Sequence, residues 1–230
     1  MLFTCADHLL LASMFAAGGR QGGPLHRELS TATVGIVGIG SIGRETARRA
    51  ASFGMRVLGC NRTVPTDDDS PPGFSEPVYP LHRLGEMAGK CDYLCLTVAL
   101  TRETEGLLDA QTLAQCKPGC VVLNVARAQL CDEVALYDAL ACGHLGGALL
   151  DAWWRYPTAA EPNPRPSHQP FHELPPDRMM MTPHASCWSA EMLDRRWVGI
   201  AANVRAALAG EVKQLTNVVR CARGAGGGPP

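Results

Sequence analysis

The sequence has no strong excess of charge of either sign. Its 230 residues contain 21 Lys and Arg against 22 Asp and Glu, which gives a formal net charge of -1 at pH 7. Proteins that bind nucleic acid or anionic membrane surfaces carry a basic face, and this composition has no excess of Lys and Arg that would form one. The charge balance therefore argues against a nucleic-acid partner and against a membrane partner.

The sequence also has no apolar run of the roughly 18 residues that a membrane-spanning helix requires. The apolar start, residues 1–19, lacks a positively charged beginning and contains Asp7 and His8, which argues against a secretory signal peptide. We expect an amphipathic helix over residues 6–17, ended by the glycines that follow it. We expect a cytoplasmic location. An organelle-targeting signal in a preceding segment is the open alternative.

Cysteine pairs at redox or metal-binding spacing are missing as well. The ten cysteines are scattered and no two form C-x-x-C, so we predict neither a disulfide framework nor a metal site. Cys91 and Cys95 lie four residues apart in a predicted strand, which would place both on one face as small buried residues. Reduced thiols fit a reducing compartment.

What the sequence does contain is a glycine-rich turn between a predicted strand and a predicted helix. Gly38, Gly40 and Gly43 follow an apolar run at G-x-G-x-x-G spacing, and a second strand comes after the helix. The first glycine permits a tight turn, the second lets the backbone approach a pyrophosphate, and the third lets helix and strand pack closely. The N–H groups at the helix N-terminus, at Ser41 and Ile42, would then face the phosphates. A glycine-rich turn of an ordinary βα unit is the alternative, but the flanking elements favour a dinucleotide site.

The residues that select between NAD and NADP are expected at the end of the second strand, 18 residues beyond Gly43. An NAD site places Asp or Glu there to bind the ribose, and that charge repels a 2′-phosphate. This chain has Asn61 and Arg62 instead, a neutral side chain beside a planar cationic donor. We therefore expect NADP(H) as the preferred cofactor. NAD(H) remains the alternative, in which Arg62 only solvates a loop.

Strand and helix patterns alternate along the rest of the chain, with polar or proline-rich loops at 63–79 and 155–177. This alternation predicts an α/β fold with a doubly wound parallel sheet, the Rossmann fold, as a single cofactor-binding domain. Further strands are predicted at 91–98, 120–125, 148–151 and 179–182, and helices at 81–88, 109–116, 132–142 and 188–209. The expected segments are a hinge or dimerisation helix (1–25), a dinucleotide-binding domain (26–187), a C-terminal helix (188–210) and a flexible tail (211–230).

Polar residues follow several predicted strands at their carboxyl ends, where ligands bind in such sheets. Arg127 could form a bidentate pair with a substrate carboxylate. His184 could transfer the hydroxyl proton, since imidazoles titrate near neutral pH. Asp151 could accept a hydrogen bond from a nicotinamide carboxamide. Taken singly, the three could instead be a loop-capping Arg, an N-capping Asp and a structural His.

Four segments carry a family resemblance: VGIVGIGSIGRETARRAASFGMRV, LTRETEGLLDAQTLAQCKPGCVVLNVARAQLCDEVALYDAL, GGALLDAWW and MMTPHAS. With them the chain resembles the D-isomer-specific 2-hydroxyacid dehydrogenases. The resemblance implies reversible hydride transfer between nicotinamide and a small 2-oxo or 2-hydroxy acid, with Arg127 binding the carboxylate and His184 as acid and base. The predicted cofactor-binding residues are Gly38, Gly40, Ser41, Ile42, Gly43, Asn61, Arg62, Ala99, Thr101, Val125, Ala126 and Asp151. Because the family includes transcriptional corepressors, a non-catalytic dinucleotide-binding interaction protein is the alternative.

The chain departs from the family pattern beside the histidine. Tyr156 stands where the family usually has a Glu that pairs with it, and a phenol carries no charge at neutral pH. Tyr156 is therefore the predicted third catalytic residue, with Glu161 as an alternative if its loop folds back. Ala128 also replaces the glycine that normally follows the Arg, which could shift Arg127.

The family's substrate domain is the other departure, because most of it is not represented in these 230 residues. The sequence begins at what resembles the hinge helix, so substrate should be poorly oriented and turnover by this chain alone should be weak. The first helix is expected to form a homodimer contact through apolar residues that would otherwise stay exposed. These residues are Leu9, Leu10, Leu11, Met14 and Phe15.

Overall fold

The computed structural model describes residues 28–64 and 72–216. The helix predicted over residues 6–17 and the dimer contact expected from it lie outside the described residues, as does residue 217 onward of the predicted tail. The described residues form two compact units, one ending at Ser186 and the other beginning at Cys187. The domain boundaries expected from the sequence remain predictions.

A single parallel sheet forms the centre of the first unit. Its strands in the described ranges are β1 (Thr33–Val37), β2 (Arg56–Asn61), β3 (Tyr79–Pro80), β4 (Tyr93–Leu96), β5 (Val121–Asn124), β6 (Gly147–Leu150) and β7 (Met179–Met181). They lie in the order β3-β2-β1-β4-β5-β6-β7, and every neighbouring pair is parallel. The strand order reverses between β1 and β4, which is the topological switch point of a doubly wound sheet. The predicted Rossmann fold is confirmed.

Four helices of the described ranges connect strands: α1 (Ser41–Ser52), α2 (Leu84–Ala88), α3 (Ala110–Gln115) and α4 (Glu133–Ala141). A fifth, α5 (Ala190–Leu208), follows the last strand and belongs to the second unit. Side-chain oxygens of Asp109, Asp132 and Ser189 accept a first-turn backbone N–H at the starts of α3, α4 and α5, as N-caps do. Within the described ranges, no helix is both long and apolar enough to cross a membrane.

Side chains are buried on both faces of the sheet, since successive side chains of each strand point to opposite sides. Val34 and Ile36 of β1 pack with Ala47 and Ala50 of α1 in one buried cluster. Val37 belongs to a larger cluster on the other face that also includes residues of α2, α3 and α4. These two-sided contacts explain why the strands are continuous apolar runs in the sequence.

The prediction of an exposed loop over residues 63–79 is partly wrong, because the last part of this segment is buried. Val78 and Tyr79 are at most 7% exposed, and Tyr79–Pro80 forms the edge strand β3 beside β2. A proline is tolerated there because an edge strand has one unpaired side. Phe74 packs where Gly59 of β2 leaves space, since a Cβ on Gly59 would lie 2.7 Å from the Phe74 ring.

The expectation that Cys91 and Cys95 share one face is also wrong, although both are buried. β4 begins only at Tyr93, so Cys91 lies in the preceding turn, where the strand alternation does not apply. Cys91 belongs to the larger cluster, and Cys95 packs with Leu123 and Leu149. Burial raises the pKa of each thiol to about 12, so both stay protonated at neutral pH.

The strands end level with one another, and this alignment positions the site. One residue from each of the seven strands lies in a common register row, here called the terminal row: Tyr79, Cys60, Val37, Leu96, Asn124, Leu150 and Met181. Just beyond this row, in the six longer strands, come mostly residues that the sequence assigns to a site. They are Asn61, which still belongs to β2, and Gly38, Thr97, Val125, Asp151 and Thr182, where the chain has left the sheet.

Candidate cofactor and active site

The glycine turn after β1 has the geometry that its spacing predicts. Gly38 has φ of +97°, and a Cβ there would lie 2.5 Å from the backbone nitrogen of Val98. A Cβ on Gly43 would lie 2.0 Å from the carbonyl oxygen of Gly38. Gly38 therefore excludes a side chain by its backbone conformation and by steric contact, and Gly43 excludes one by steric contact alone. Thr97, at the end of β4, donates from Oγ1 to the Gly38 carbonyl oxygen at 2.7 Å.

Gly40 differs from its two neighbours in the motif, because it faces open space. A Cβ on Gly40 would meet no heavy atom within 4 Å. Gly40 is also the N-cap of α1 and supplies no side-chain acceptor to the first turn, in contrast to the caps of α3, α4 and α5. The first backbone N–H groups of α1 therefore lack a side-chain partner and lie at an exposed helix N-terminus, where an anion is favoured.

A cavity of about 370 Å³ lies beside this turn, at the ends of β4 and β5. It is lined by Ile42, Thr97, Val98, Ala99, Leu100, Val125, Ala126 and Arg127. The cavity thus joins the start of α1 to the predicted carboxylate-binding residue, and it includes several of the predicted cofactor-binding residues. Its lining is mainly apolar, with Arg127 as the charged member, which suits the binding of a flat heteroaromatic ring.

The loop that carries Arg127 is held by the buried side chain of Asn124. Its Nδ2 donates to the carbonyl oxygen of Arg127 at 2.8 Å, and its Oδ1 accepts from the backbone N–H of Ala126 at 3.1 Å. Arg127 is exposed and donates from Nη1 to the Ala126 carbonyl at 2.7 Å. Ala128 is buried in a 3₁₀ turn, Ala128–Leu130, and does not have positive φ, so no glycine is needed there.

Thr101 and Ala99 lie on the loop after β4, which Thr104 holds in place. The buried hydroxyl of Thr104 donates to the Ala99 carbonyl at 2.8 Å and accepts from the Thr101 backbone N–H at 2.8 Å. Ala99 lines the cavity, whereas Thr101 is exposed and does not belong to the lining.

Asn61 is the last residue of β2 and Arg62 follows it, on the other side of the glycine turn. Asn61 Oδ1 lies 3.5 Å from the backbone nitrogen of Ile39, and its Nδ2 donates to the Thr63 carbonyl at 2.9 Å. The guanidinium of Arg62 lies 3.4 Å from a carboxylate oxygen of Glu103, and both side chains are about two-thirds exposed. Exposed pairs of this kind contribute little free energy, so Arg62 can exchange this partner for another anion.

Asp151 is buried and organises the segment that contains His184. Its Oδ1 accepts from the Thr182 hydroxyl at 2.6 Å and from the backbone N–H of Ala185 at 2.9 Å. Its Oδ2 accepts from the backbone N–H of Ser186 at 3.0 Å. Burial acts to raise the pKa of Asp151, but the hydrogen bonds from Ser186, Thr182 and Ala185 outweigh it and hold this pKa below its ordinary value. Asp151 is therefore an ionised anchor for this segment.

His184 is half-buried and has φ of +56°, a left-handed conformation that is uncommon for residues other than glycine. The hydroxyl of Tyr156 lies 2.7 Å from His184 Nδ1. Glu161, the alternative partner, forms an ion pair with Arg155 at 2.5 Å. The structure therefore places Tyr156, and not Glu161, against the imidazole.

The predicted site residues thus form two groups along one edge of the sheet. The first is the glycine turn with the cavity and Arg127, and the second is Asp151, Tyr156 and His184, none of which lines that cavity. A backbone hydrogen bond from the Asp151 N–H to the Asn124 carbonyl, 3.0 Å, links them. Arg127 lies on the segment after β5, and His184 lies on the segment after β7. Only β6 lies between these two strands, so their backbones are about 10 Å apart.

Several residues that build this site are not among the predicted catalytic or cofactor-binding residues. Thr97, Thr104, Asn124 and Thr182 hold the loops through buried or half-buried hydrogen bonds. Trp153 does the same, since its indole Nε1 donates to the Thr182 carbonyl at 2.8 Å. The available signal was position, because Thr97, Asn124 and Thr182 lie in or next to the terminal row. Their partners, however, are distant in sequence or are backbone atoms, which the sequence pattern does not reveal.

The fold and the site define a dinucleotide-binding α/β domain. Comparison with known proteins identifies its family: residues 1–186 match the model described as D-isomer specific 2-hydroxyacid dehydrogenase, NAD binding domain. The chain belongs to this family, as its sequence motifs suggested.

The D-3-phosphoglycerate dehydrogenase of Mycobacterium leprae is 36% identical over 192 residues, covering 83% of this chain and 34% of that protein. The chain therefore spans about a third of the length of this relative. A solved protein of Thermus thermophilus is 33% identical, with a TM-score of 0.71 over 91% of this chain and 62% of that one. A D-isomer specific 2-hydroxyacid dehydrogenase of Xanthobacter autotrophicus Py2, solved with NADPH and MES, is 29% identical, with a TM-score of 0.72 over 91% and 79%.

Proposed function

We propose that this chain is the cofactor-binding part of an NAD(P)-dependent oxidoreductase that interconverts small 2-oxo and 2-hydroxy acids. The observation that carries the proposal is the alignment beyond the terminal row. It brings an open helix N-terminus, a cavity that reaches Arg127, and a histidine with a fixed partner to one edge of the sheet. The relatives act on substrates of this type, since D-3-phosphoglycerate is a 2-hydroxy acid.

The residues present fit a dinucleotide. The space at Gly40, which a Cβ would partly fill, lets a pyrophosphate approach the free N–H groups of Ser41, Ile42 and Gly43. The cavity lined by Ala99, Val125 and Ala126 would hold the nicotinamide ring, which supplies or accepts the hydride when bound. Thr101 would contribute from the rim of this cavity.

NADP(H) is the preferred cofactor in this proposal. Asn61 and Arg62 stand at the end of β2, where an NAD site has an acidic side chain that binds the ribose and repels a 2′-phosphate, and the guanidinium of Arg62 is exposed. The Xanthobacter relative binds NADPH in its crystal structure, which supports the same preference. NAD(H) is the second cofactor that the site would accept.

In the reaction, Arg127 would bind the substrate carboxylate and His184 would transfer the hydroxyl proton through Nε2, since Nδ1 faces Tyr156. Asp151 would act by holding the Thr182 side chain before His184 and the backbone after it, because these groups already occupy both of its oxygens. Its predicted contact with the carboxamide remains a prediction. The homodimer, the cytoplasmic location and the weak turnover of this chain alone remain predictions as well.

Cofactor binding is tested by titrating the purified chain with NADPH and with NADH and following the quenching of Trp fluorescence. We expect NADPH to bind more tightly, and Arg62→Gln to weaken NADPH several-fold while leaving NADH nearly unchanged. Absence of binding by either cofactor at millimolar concentration would contradict the cofactor site. Tighter binding of NADH by the unaltered chain would contradict the preference alone.

The reaction is tested with glyoxylate or hydroxypyruvate and NADPH, following oxidation of the cofactor. We expect a low rate that Arg127→Ala and His184→Ala each reduce further, with unchanged NADPH affinity in His184→Ala, since His184 does not line the cavity. If activity were absent from every extended form of the chain and Arg127→Ala altered binding of a protein partner, the non-catalytic alternative would replace this proposal.

A further inference from the structure

The hydroxyl of Tyr156 has two hydrogen-bond partners with different requirements. The backbone N–H of Trp153 lies 3.0 Å from the phenolic oxygen, and His184 Nδ1 lies 2.7 Å from it. A backbone N–H can only donate, so the phenolic oxygen accepts from Trp153. The hydrogen of the phenol is then free to point to the imidazole.

The distance to His184 supports donation from the phenol. Hydrogen bonds from a hydroxyl to an oxygen have typical lengths of about 2.7–2.8 Å, whereas bonds from an N–H to an oxygen have typical lengths of about 2.9–3.0 Å. The bond of 2.7 Å from the Tyr156 oxygen to Nδ1 matches the first class, and the bond of 3.0 Å from Trp153 matches the second. A neutral imidazole that accepts at Nδ1 carries its own proton on Nε2.

The surroundings provide no group that would favour the opposite tautomer. The Glu161 carboxylate is paired with Arg155, and the Asp151 carboxylate accepts from Thr182, Ala185 and Ser186. Among the described residues, the only hydrogen-bond partner of the His184 ring is Tyr156. The segment that carries the ring is held by Asp151, which accepts from the Thr182 hydroxyl on one side of His184 and from the backbone N–H groups of Ala185 and Ser186 on the other.

We propose that Tyr156, held by the Trp153 backbone, is a positioning residue that sets His184 in the tautomer protonated on Nε2. At rest the imidazole therefore offers a donor at Nε2, and not a basic lone pair. If the proposed function holds, a bound 2-oxo acid can accept this hydrogen bond directly. Removal of a hydroxyl proton first requires the imidazole proton to move to Nδ1, with the phenol turning from donor to acceptor while it keeps the bond from Trp153. A carboxylate partner would never donate and would favour protonated Nδ1 in every state.

The tautomer is measured directly by long-range ¹H–¹⁵N correlation spectra of the ¹⁵N-labelled chain at alkaline pH, where imidazoles are uncharged. The His184 signals are identified by their loss in His184→Asn. We expect a protonated Nε2 and a hydrogen-bonded, unprotonated Nδ1. A proton on Nδ1 in the unaltered chain would overturn the proposal, and no activity is needed to see it.

Two variants sharpen the result. Tyr156→Phe should shift the Nδ1 resonance toward that of an imidazole without a partner, and Tyr156→Glu should move the proton to Nδ1. An unchanged Nδ1 signal in Tyr156→Phe, with the amide spectrum of a folded chain, would show that the bond is absent in solution. Retention of the proton on Nε2 in Tyr156→Glu would show that the partner does not set the tautomer.

The kinetic consequence is separable from the proposed function. In Tyr156→Glu, kcat/KM should rise by a few-fold to about tenfold, the range of one hydrogen bond. It should rise equally for reduction and oxidation at one pH, because no variant alters the overall equilibrium. An unchanged or lower kcat/KM in both directions, with the proton on Nδ1, would overturn the proposed link between tautomer and rate. Absence of turnover in all forms, with the expected spectra, would instead count against the proposed function and leave the tautomer assignment standing.

Discussion

The glycine turn after β1 and the His184 segment after β7 lie at the same edge of one sheet but are built in different ways. The turn is shaped by the absence of side chains, since Gly38 and Gly43 have no room for a Cβ. The His184 segment is shaped by side-chain hydrogen bonds, chiefly those that Asp151 accepts and the one at Tyr156. The difference teaches that the turn depends on close steric contacts with backbone atoms, whereas the His184 segment depends on groups that can titrate.

The largest effect is expected at Gly38. Gly38→Ala combines a left-handed backbone with a Cβ that would lie 2.5 Å from the Val98 backbone, so we expect a loss of roughly 3 kcal/mol in the free energy of unfolding. Urea denaturation measures this loss. The matched control is Gly106→Ala, which has φ of +63° but no heavy atom within 4 Å of the added Cβ and should cost only about 1 kcal/mol. Equal losses would mean that steric contact does not shape the turn.

The second effect concerns the carboxylate of Asp151. Asp151→Asn replaces an oxygen acceptor by an NH₂ group beside backbone donors, so we expect the free energy of unfolding to fall by about 2 kcal/mol at neutral pH. The control is Asp138→Asn, an exposed residue of α4, which should change stability by less than about 0.5 kcal/mol.

The same variant predicts a pH dependence with a definite sign. The native pKa of Asp151 is lowered, so its ionised form stabilises the fold above the unfolded pKa of about 3.9. This contribution is lost as the pH falls below about 4 and through the lowered native pKa. The stability difference between the unaltered chain and Asp151→Asn should therefore narrow at acidic pH, as unfolding curves at several pH values would show. A constant difference would contradict the role as an ionised anchor.

The third effect separates binding from folding within the turn. Because a Cβ on Gly40 meets no protein atom within 4 Å, Gly40→Ala should leave the free energy of unfolding within about 0.5 kcal/mol. NADPH affinity should fall about tenfold or more, since the methyl group occupies the space for the pyrophosphate. Calorimetric titration measures the affinity. Gly199→Ala, in α5 and also free of contacts, is the control that should retain it. A Gly40→Ala chain with unaltered affinity would place the phosphates elsewhere.

The smallest effect concerns cofactor preference. Glu103→Gln removes the anion that pairs with Arg62 at 3.4 Å, so NADPH should gain about threefold in affinity relative to NADH. Glu105→Gln, an exposed neighbour without an ion pair to a described residue, should leave the ratio of the two affinities unchanged. A ratio that changes equally in both variants would reflect general charge and not the Arg62 pair.

Much of the first group was predictable from the sequence, and less of the second. The spacing of Gly38, Gly40 and Gly43 determines which backbone positions must lack a side chain, because the turn is a local feature of six residues. The partner of His184 was left open between Tyr156 and Glu161, since both lie in a proline-rich loop without periodicity. Only the tertiary structure shows Glu161 paired with Arg155 and Tyr156 against the imidazole.

By itself the sequence determined the parallel sheet, the glycine turn and the set of polar residues at strand ends, because each follows from local spacing and from burial on both faces. The tertiary structure decided the buried edge strand β3, the different surroundings of Cys91 and Cys95, and the bonds that hold Arg127 and His184 in place. The sequence does not reveal these features for one physical reason. They depend on atoms about 20 to 60 residues apart, or on backbone groups, and the distances between these atoms are set only when the strands align.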